Sequence, residues 1–248
     1  TAPRSRCHGD PSLIHRTAHV IVFHPDGERI LLQLRTKTKD IQPGKWDTAV
    51  GGHLDHGEDF ESAARREMNE ELGLDRKLPL RFLFHSKIRN DIESENVGVF
   101  ALVSAGPFQF QRSEIDEVRF FSRADLNMRR SEFTPNLCAE LDELQKRGFF
   151  AVHSASILYQ GKAWLFSGHS GMGKSTHTNL WHRLLQVPLL NGDLNLLGYQ
   201  NGVLSAVGIP WCGTSEITTE ATYPLGGIVL LGRAKDDHLE PLTEREKA

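Results

Sequence analysis

The 248-residue sequence predicts an α/β fold in two domains, residues 1–147 and residues 148–248. Apolar runs of strand length alternate with helix-forming segments along the chain. Charge density changes between the two segments, because the first holds 22 Lys and Arg with 24 Asp and Glu, whereas the second holds 7 and 8. The second segment also has a glycine-rich loop between an apolar run and a helix-compatible run, as phosphate-binding α/β domains do.

In the first segment, β-strands are expected around one helix. The runs HVIVF and RILLQLR flank turn residues 24–27, which predicts a hairpin, and further strands are expected in LRFLFHSKI and VGVFALVSA. Residues 60–72 are helix formers with acids early and Gly73 at the C-cap position. A second helix is expected to start after Thr134 and Pro135 and to run to Gly148.

In the second segment, strands are expected in FFAVHSASILYQ and KAWLFSG, before the glycine-rich loop. The run HTNLWHRLL after the loop is compatible with a helix, and NGVLSAVGIP and LGGIVLL continue the strand pattern. No Pro- or Ser-rich linker separates the two segments, so we expect domains that abut. Since the chain ends soon after LGGIVLL, we expect the second domain to be truncated or minimal.

Composition argues against several classes of protein. The formal net charge is −3 and both segments are close to neutral, which argues against a nucleic-acid binder. No apolar run approaches the ~20 residues that cross a bilayer, and the N-terminus lacks the apolar core of a signal peptide. Cys7, Cys138 and Cys212 lie far apart, as free thiols in a reducing compartment do. We therefore expect a cytoplasmic protein with no membrane partner.

Three glutamates in the first segment indicate a metal site. Glu67, Glu70 and Glu71 stand at i, i+3 and i+4, which places three carboxylates on one helical face. Such triplets also occur on solvated helix faces, but like charges at this spacing repel unless a cation lies among them. Hard divalent ions bind carboxylate oxygens and assist the attack of water on diphosphates. Glu58 is expected to pair with Arg66 and to hold the preceding loop against the helix.

These residues form a longer motif, GHLDHGEDFESAARREMNEELGL, from Gly52 to Leu74. It resembles the Nudix box, G-x5-E-x7-R-E-U-x-E-E-x-G-U, at every specified position, and the resemblance covers about residues 8–147. It implies an α/β/α sandwich with a mixed sheet, dependence on Mg²⁺ or Mn²⁺, and substrates that contain a diphosphate linked to another group. It also implies metal ligation by the three glutamates, one of them a general base, with Arg66 and Glu58 in the catalytic set.

A closer resemblance lies outside that motif. The pattern His8-x6-His15, the run RILLQLRTKTKDIQPGKW and the run WDTAVGGH resemble the isopentenyl diphosphate isomerase branch of Nudix proteins. That branch binds a divalent metal through histidines and glutamates, a ligand set that suits transition metals or zinc as well as Mg²⁺. The positions that match its metal ligands are His8, His15, His53, Glu93 and Glu95, and those that match its diphosphate-contacting residues are Arg35 and Lys39.

One departure favours hydrolysis over isomerisation. The isomerases use a cysteine immediately before the Gly-His pair in proton transfer, and Gly51 stands there in this chain. Without that group, the allylic proton shift loses one of its two acid/base partners. The isomerases also tend to have a degraded Nudix box, whereas the one in this chain is intact.

The glycine-rich loop of the second segment, GHSGMGKST, matches the Walker A pattern. Glycines let backbone N–H groups turn toward phosphate oxygens, the lysine neutralises charge, and the serine hydroxyl reaches Mg²⁺. The helix that follows adds its positive N-terminal dipole. The pattern predicts a site for ATP or another nucleotide, with contacts from Gly168, Gly171, Gly173, Lys174, Ser175 and Thr176.

The flanking runs, VHSASILYQGKAWLFSGHSGMGKST and LLNGDLNLL, resemble the HPr kinase and phosphoenolpyruvate carboxykinase group. The resemblance implies roles in phosphotransfer for His153 and Asp193, with Ser175 and Asp193 at a metal. Gly192 stands where HPr kinases have the first aspartate of a pair, which puts phosphoryl transfer to a protein serine in doubt. His169, His177 and His182 are expected on the surface, and Trp181 and Trp211 in the core.

The leading hypothesis is a divalent-metal-dependent hydrolase that cleaves a diphosphate linkage in a small-molecule substrate and is fused to an ATP-binding P-loop module. Three alternatives stay open. In the first, the P-loop segment is a kinase or phosphotransferase and the first domain is accessory. In the second, the first domain is an isopentenyl-diphosphate-isomerase-like enzyme. In the third, the second domain senses nucleotide without catalysis.

Overall fold

A computed structural model describes residues 10–91, 93–212, 215–236 and 238–243, so Cys7 and His8 lie outside the described residues. The first part of the chain contains β1 (Ile14–Phe23), β2 (Arg29–Arg35), β3 (Trp46–Thr48), β4 (Val50–His53), α1 (Phe60–Leu72), β5 (Arg81–Arg89), β6 (Ser94–Val103), β7 (Ile115–Ser122), α2 (Arg123–Met128), a 3₁₀ turn (Arg130–Glu132) and α3 (Pro135–Lys146). The second part contains β8 (Phe150–Tyr159), β9 (Lys162–Ser167), α4 (Lys174–Leu185), β10 (Leu189–Asn191), β11 (Leu194–Gln200), β12 (Val203–Val207) and β13 (Tyr223–Leu230).

The first sheet is mixed and splits at one edge of β1. Its order is β3-β2-β1-β6-β5, with β4 paired to β1 and β7 to β2. The parallel strand β6 occupies one edge of β1 along its whole length, so β2 and β4 share the other edge. There β2 pairs only at Phe23 with Ile30, and β4 takes over from Val20 to Thr17. The predicted hairpin therefore opens after its first pair, because β4 competes for the same edge, and the opening leaves room for a cavity.

Helices cover both faces of this sheet. Alternate residues of β1 point to opposite faces. Ala18, Val20 and Val22 pack in a cluster that includes Met68 and Leu72 of α1. Ile21 and Phe23 join a second apolar cluster, which includes Leu137, Leu141 and Leu144 of α3. The predicted mixed α/β fold with a mixed sheet is confirmed.

Helix α1 has the predicted bounds because both of its ends are capped. The Asp59 side chain accepts a hydrogen bond from the Ser62 amide at 2.8 Å, and Gly73 ends the helix with φ of 67°. The buried Ala63, Ala64, Met68 and Leu72 form the face that packs on the sheet. Helix α3 begins at Pro135, one residue earlier than predicted, after the N-cap of Thr134, and ends at Lys146, two residues before the expected Gly148.

The second part of the chain is mostly β, which departs from the expected α/β domain. Its strands follow the order β10-β8-β11-β12-β13-β9, and β8 also pairs β9, so the pairing closes on itself. Among the described residues after 147, α4 is the one helix. The division into two domains at residue 147 stays a prediction.

The two parts share an apolar core. Leu196, Val207, Ile209 and Trp211 from the second part belong to the same buried cluster as α3. The Trp211 Nε1 also donates a hydrogen bond to the Pro79 carbonyl at 2.8 Å. Trp211 is therefore buried as predicted.

Other expectations for the second part concern exposure. Trp181 is only half-buried and packs beside Tyr159 and Phe166, whereas His169, His177 and His182 are exposed as expected. Cys138 and Cys212 are free thiols. None of the described helices has both the length and the apolar character that crossing a membrane requires.

Replacement of Gly73 by Ala should destabilise the fold more than replacement of Gly57 by Ala. Both glycines have positive φ, 67° and 84°, which costs an L-residue about 1–2 kcal/mol. A Cβ at Gly57 meets nothing within 4 Å, but at Gly73 it lies 2.8 Å from Gln109 Cβ and 3.0 Å from its carbonyl oxygen. Urea unfolding followed by circular dichroism measures both variants, and equal losses would contradict the contribution of the Gln109 contact.

Candidate active site

A cavity of about 480 Å³ opens where the first sheet splits. Its walls come from both faces of the sheet, since β1, β2, β4, β6, α1 and the start of α3 all contribute. The lining includes Thr17, His19, Gln33, Arg35, Lys39, Asp47, Thr48, Gly51, Gly52, His53, Arg66, Glu67, Glu70, Glu71, Glu93, Glu95, Glu114 and Asn136. None of the described residues after 147 lines this cavity.

Glu71 is the most deeply buried of the three α1 glutamates. Its Oε2 accepts hydrogen bonds from the Gly51 amide at 3.1 Å and from Gln33 Nε2 at 3.4 Å. Burial raises the pKa of this carboxyl to about 8, and the neighbouring Glu67 acts in the same direction. The protein therefore holds at this point a carboxyl group whose negative charge it compensates poorly.

Glu67 fits into a space that a glycine leaves open. A Cβ at Gly52 would lie 2.0 Å from Glu67 Cδ, so a side chain there would displace the carboxylate. Burial raises the pKa of Glu67, while its 2.7 Å hydrogen bond from Arg66 Nη1 opposes the rise. The glycine that opens the motif is thus required by the close approach of strand β4 and helix α1.

Arg66 links the motif's loop to its helix. The guanidinium makes two hydrogen bonds to Glu58, at 3.1 and 2.9 Å, and donates to the His53 carbonyl at 2.9 Å. It also donates to Glu70 at 3.2 Å. These bonds raise the pKa of Arg66 and lower that of Glu58. The expected ion pair of Glu58 and Arg66 is present, and the same arginine neutralises the more exposed α1 carboxylates.

A second group of donors lies across the sheet from α1. His15 on β1 is in register with Glu95 on β6, and His15 Nε2 lies 3.0 Å from Glu95 Oε1. The ring centroids of His15 and His53 are 4.5 Å apart. Ligand atoms of these three residues all lie within 4.8 Å of one another, and no described triplet that includes an α1 glutamate is gathered as closely. His8, expected in this set, lies outside the described residues.

Asn136 at the start of α3 connects the two acids of this group. Its side-chain amide donates to Glu93 Oε1 at 2.7 Å and to Glu95 Oε2 at 3.3 Å. Burial raises the pKa of Glu93, with a further contribution from Glu95. Burial also disfavours the Glu95 carboxylate, but the hydrogen bond from His15 and the charges of the nearby histidines together outweigh it and lower the pKa of Glu95. One acid of the pair is thus favoured as a carboxylate.

Arg35 and Lys39 lie on the cavity wall, and both are paired with acids. Arg35 donates to Asp47 Oδ2 at 3.1 Å and to the Ile41 carbonyl at 2.9 Å, and Lys39 forms an ion pair with Glu114. The structure thus brings both predicted basic residues to the same cavity as the acids. An anionic ligand would have to compete with Asp47 and Glu114 for them.

Sequence reasoning missed His19, Glu140 and Thr48. His19 Nδ1 lies 2.6 Å from Glu140 Oε2 on α3, and Thr48 donates to Glu140 Oε1 at 3.2 Å. One signal was available, since strand alternation places His19 on the same face of β1 as His15. No local pattern connects His19 with a glutamate 121 residues further on.

The predicted phosphate loop lies apart from the cavity, between β9 and α4. Gly168, Gly171 and Gly173 all have positive φ, at 152°, 78° and 90°. Lys174 is buried, and its ammonium donates to the Gly168 carbonyl at 2.9 Å and to the His169 carbonyl at 3.4 Å. Ser175 and Thr176 are exposed on the first turn of α4.

His153 on β8 and Asp193, in the turn between β10 and β11, lie beside this loop. The Asp193 carbonyl accepts from the Ser154 amide at 3.1 Å, and Asp193 Oδ2 accepts from the Ser215 amide at 3.3 Å. Burial lowers the pKa of His153, and the charge of Lys174 lowers it further. A Cβ at Gly192 would lie 2.1 Å from Ser215 Oγ, so there is no space for a second acid unless that serine moves.

An α/β sandwich with a cavity of carboxylates, imidazoles and basic side chains is the architecture of an enzyme that acts on small molecules. The model of the NUDIX domain matches residues 13–139. An uncharacterized Nudix hydrolase of Yersinia pestis is 39% identical over 126 residues, which are 50% of this chain and 67% of that protein. The uncharacterized Nudix hydrolase YfcD of Escherichia coli K12 is 35% identical over 137 residues, 54% of this chain and 74% of that protein.

Among solved structures, DR0079 from Deinococcus radiodurans superposes with a TM-score of 0.47 at 24% identity, over 54% of this chain and 86% of that chain. The chain belongs to the Nudix family, on the match to the family model and its relatives. These relatives support a Nudix-type hydrolase.

Without metal, Glu71→Gln should change the pH dependence of stability. The pKa of Glu71 is raised from 4.5 to about 8, so the folded state binds this proton more tightly than the unfolded state. The free energy of unfolding therefore falls as the pH rises from about 4.5 to about 8. In Glu71→Gln the side chain does not titrate, so the contribution of Glu71 to this fall is lost. Melting temperatures in EDTA at pH 5 and pH 9 test this, with Glu70→Gln as the control because its side chain is 47% exposed. A difference between wild type and Glu71→Gln that does not change with pH would contradict it.

Proposed function

We propose that this cavity hydrolyses a diphosphate that links two parts of a small molecule, such as a nucleoside and a second group, with Mg²⁺ or Mn²⁺. One observation supports this above the others. Glu67, Glu70 and Glu71 border the same cavity as Arg35 and Lys39. Carboxylates suit a divalent ion and the basic side chains suit phosphate oxygens, so the two sets together fit a metal-bound diphosphate.

The residues of α1 fit a divalent ion. Burial raises the pKa of both Glu67 and Glu71, so neither charge is fully compensated in the protein itself. All the donors are oxygens, the ligands of Mg²⁺ and Mn²⁺. The ligands we propose are Glu67, Glu70 and Glu71. When bound, such an ion would neutralise phosphate oxygens and lower the pKa of water.

A second divalent ion fits His15, His53 and Glu95, with Glu93 beside them. This set contains two imidazoles and carboxylates, which suits zinc and transition metals as well as Mg²⁺. The donor atoms already lie within 4.8 Å of one another. His8 belongs to the same proposed set.

The side chains of the cavity supply the rest of the chemistry. Arg35 and Lys39 orient the diphosphate after exchange from Asp47 and Glu114, and one of the α1 glutamates accepts the proton of the attacking water. Arg66 and Glu58 hold the loop between β4 and α1 in place. Isomerisation of an isopentenyl-type diphosphate is the less favoured activity, because Gly51 provides no proton-transfer group.

Glu71→Gln should lower kcat for diphosphate hydrolysis by about 10²-fold or more, since it removes a proposed ligand or base. Glu67→Gln and Glu70→Gln should also lower it. The assay uses ADP-ribose, a dinucleoside polyphosphate and isopentenyl diphosphate with Mg²⁺ or Mn²⁺, and products are measured by ³¹P NMR. Glu61→Gln is the matched control on α1, where Glu61 pairs with Arg65 outside the cavity.

Two results would contradict the proposal. One is the absence of any phosphorus product across the panel. The other is a rate that EDTA and Glu71→Gln leave unchanged. Proton exchange into isopentenyl diphosphate without hydrolysis would instead support the isomerase alternative.

We also propose that the loop before α4 binds ATP or another nucleotide. Three glycines with positive φ shape this loop, and the ammonium of Lys174 lies against its carbonyl oxygens. In this position a phosphate would offer Lys174 a charged partner in place of two neutral ones. Ser175 and Asp193 are the proposed ligands of an accompanying Mg²⁺. A kinase role for His153 and Asp193 and a sensing role without catalysis are the two alternatives.

Lys174→Met should weaken the binding of Mg²⁺-ATP by at least about tenfold, which corresponds to ~1.4 kcal/mol for one charged contact. Titration calorimetry of the full chain measures this, with Lys162→Met as the control because Lys162 is exposed at the far end of β9. ATP turnover that Lys174→Met removes and Glu71→Gln spares would support a kinase. Binding without turnover would support sensing, and no binding to the wild type would contradict the proposal.

A further inference from the structure

A buried carboxylate fixes the ring of His19 in the wall of the cavity. The Nδ1 atom lies 2.6 Å from Glu140 Oε2, and the other carboxylate oxygen accepts from Thr48 at 3.2 Å. His19, Glu140 and Thr48 are 7%, 3% and 4% exposed. Because both carboxylate oxygens have partners, Glu140 is held in place and it determines which ring edge of His19 faces away from α3.

That opposite edge of the ring faces Gly51 and the cavity. Gly51 is in register with His19 on the adjacent strand, and a Cβ there would lie 3.3 Å from both Cδ2 and Nε2 of the ring. Both residues line the cavity. Among the described residues, the His19 ring has one hydrogen-bond partner, Glu140, and it binds that partner through Nδ1. Nε2 is therefore available to a ligand, because Gly51 beside it on β4 has no side chain to cover it.

The surroundings favour a protonated ring. Burial by itself lowers the pKa of His19, but Glu140 more than compensates and raises it to about 9. Glu95 on β6 and Asp47 on β3 act in the same direction. At neutral pH the ring thus carries a proton on Nε2 as well as on Nδ1. This N–H is a charged donor in a cavity whose walls are rich in carboxylates.

We propose that His19 is a further catalytic residue, the general acid that protonates the leaving oxygen, and that Glu140 is its positioning residue. This inference rests on the proposed diphosphate hydrolysis. In that step the water oxygen forms a bond to phosphorus and the bridging P–O bond breaks. The bridging oxygen keeps the electron pair and takes the proton of Nε2, while the proton of the water goes to an α1 glutamate. Solvent then returns a proton to His19.

The pair of His19 and Glu140, which we call the dyad, follows a known principle of acid/base sites. A carboxylate on one ring nitrogen fixes the orientation of the ring and stabilises the imidazolium, and the other nitrogen faces the reacting group. A pair that only held α3 on the sheet would gain nothing from an uncovered Nε2. The absence of a side chain at Gly51 is what leaves that nitrogen exposed to the cavity.

The test compares two leaving groups. The first substrate is the diphosphate of the panel that the wild type hydrolyses fastest, whose leaving phosphate oxygen benefits from a proton. The second is the same diphosphate with sulfur in place of the bridging oxygen, because the less basic sulfur leaves without a proton. His19→Gln should lower kcat for the oxygen-bridged diphosphate by about 10²-fold with KM within a few-fold, and kcat for the sulfur-bridged analogue by less than tenfold.

Two further variants complete the experiment. Glu140→Gln keeps an acceptor for Nδ1 but removes the charge, so it should show the same split between substrates with a smaller loss. If circular dichroism shows that His19→Gln does not fold, Glu140→Gln tests the proposal in its place. His85→Gln is the control, because His85 is an exposed residue of β5 that packs against Phe60 and Phe82 outside the cavity.

The outcomes separate this inference from the proposed function. A wild type that hydrolyses neither substrate overturns the hydrolase proposal and the role of His19 with it. An active wild type with equal losses for both substrates overturns the general acid alone. A folded His19→Gln with unchanged kcat and a lower melting temperature also overturns the general acid, because the dyad then has only a structural role.

Discussion

The edge that β2 and β4 share on β1 determines where the candidate active site lies. The parallel strand β6 occupies the other edge of β1 from end to end, so the two remaining neighbours must divide one edge between them. The resulting split breaks the separation that a continuous sheet imposes between its two faces. Carboxylates from α1 and imidazoles from the opposite face therefore meet in one cavity. The glycines of β4 make this possible, because Gly52 leaves space for Glu67 and Gly51 leaves space beside His19.

The charges around the cavity are distributed unequally. Arg66 neutralises the outer carboxylates of the motif, whereas Glu71, deeper in the wall, accepts hydrogen bonds from the neutral Gly51 amide and Gln33 side chain and has a raised pKa. His19 shows the opposite balance, because a buried carboxylate holds a proton on its ring. One cavity thus holds a carboxyl group whose charge is poorly compensated and an imidazole that is stabilised in its protonated form. Such a pair suits a reaction in which one group accepts a proton and the other donates one. Arg35 and Lys39 line the same cavity and are already paired with acids, so an anionic ligand would have to displace carboxylates from them.

The two parts of the chain are joined by packing, although their predicted sites are separate. Leu196, Ile209 and Trp211 complete an apolar cluster that begins on β1 and α3. The core of the family domain therefore extends beyond residue 139, where the match to the family model ends. The loop before α4 lies on the far sheet, and none of its residues lines the cavity.

The sequence by itself determined what depends on neighbours along the chain. Helix α1 has the predicted bounds because its caps, Asp59 and Gly73, are local, and the three glutamates lie on the predicted face because helical geometry requires it. Strands β3, β4, β7, β10 and β11 escaped prediction. Three of them, β3, β4 and β10, have only three or four residues, which carry too little periodicity. The hairpin expected at residues 24–27 was wrong beyond its first pair, because β4 competes for the same edge. Only the tertiary structure decided the partners of His15 and His19. Their carboxylates come from β6 and α3, 80 and 121 residues away, and long-range register and packing, which no local pattern encodes, bring them together.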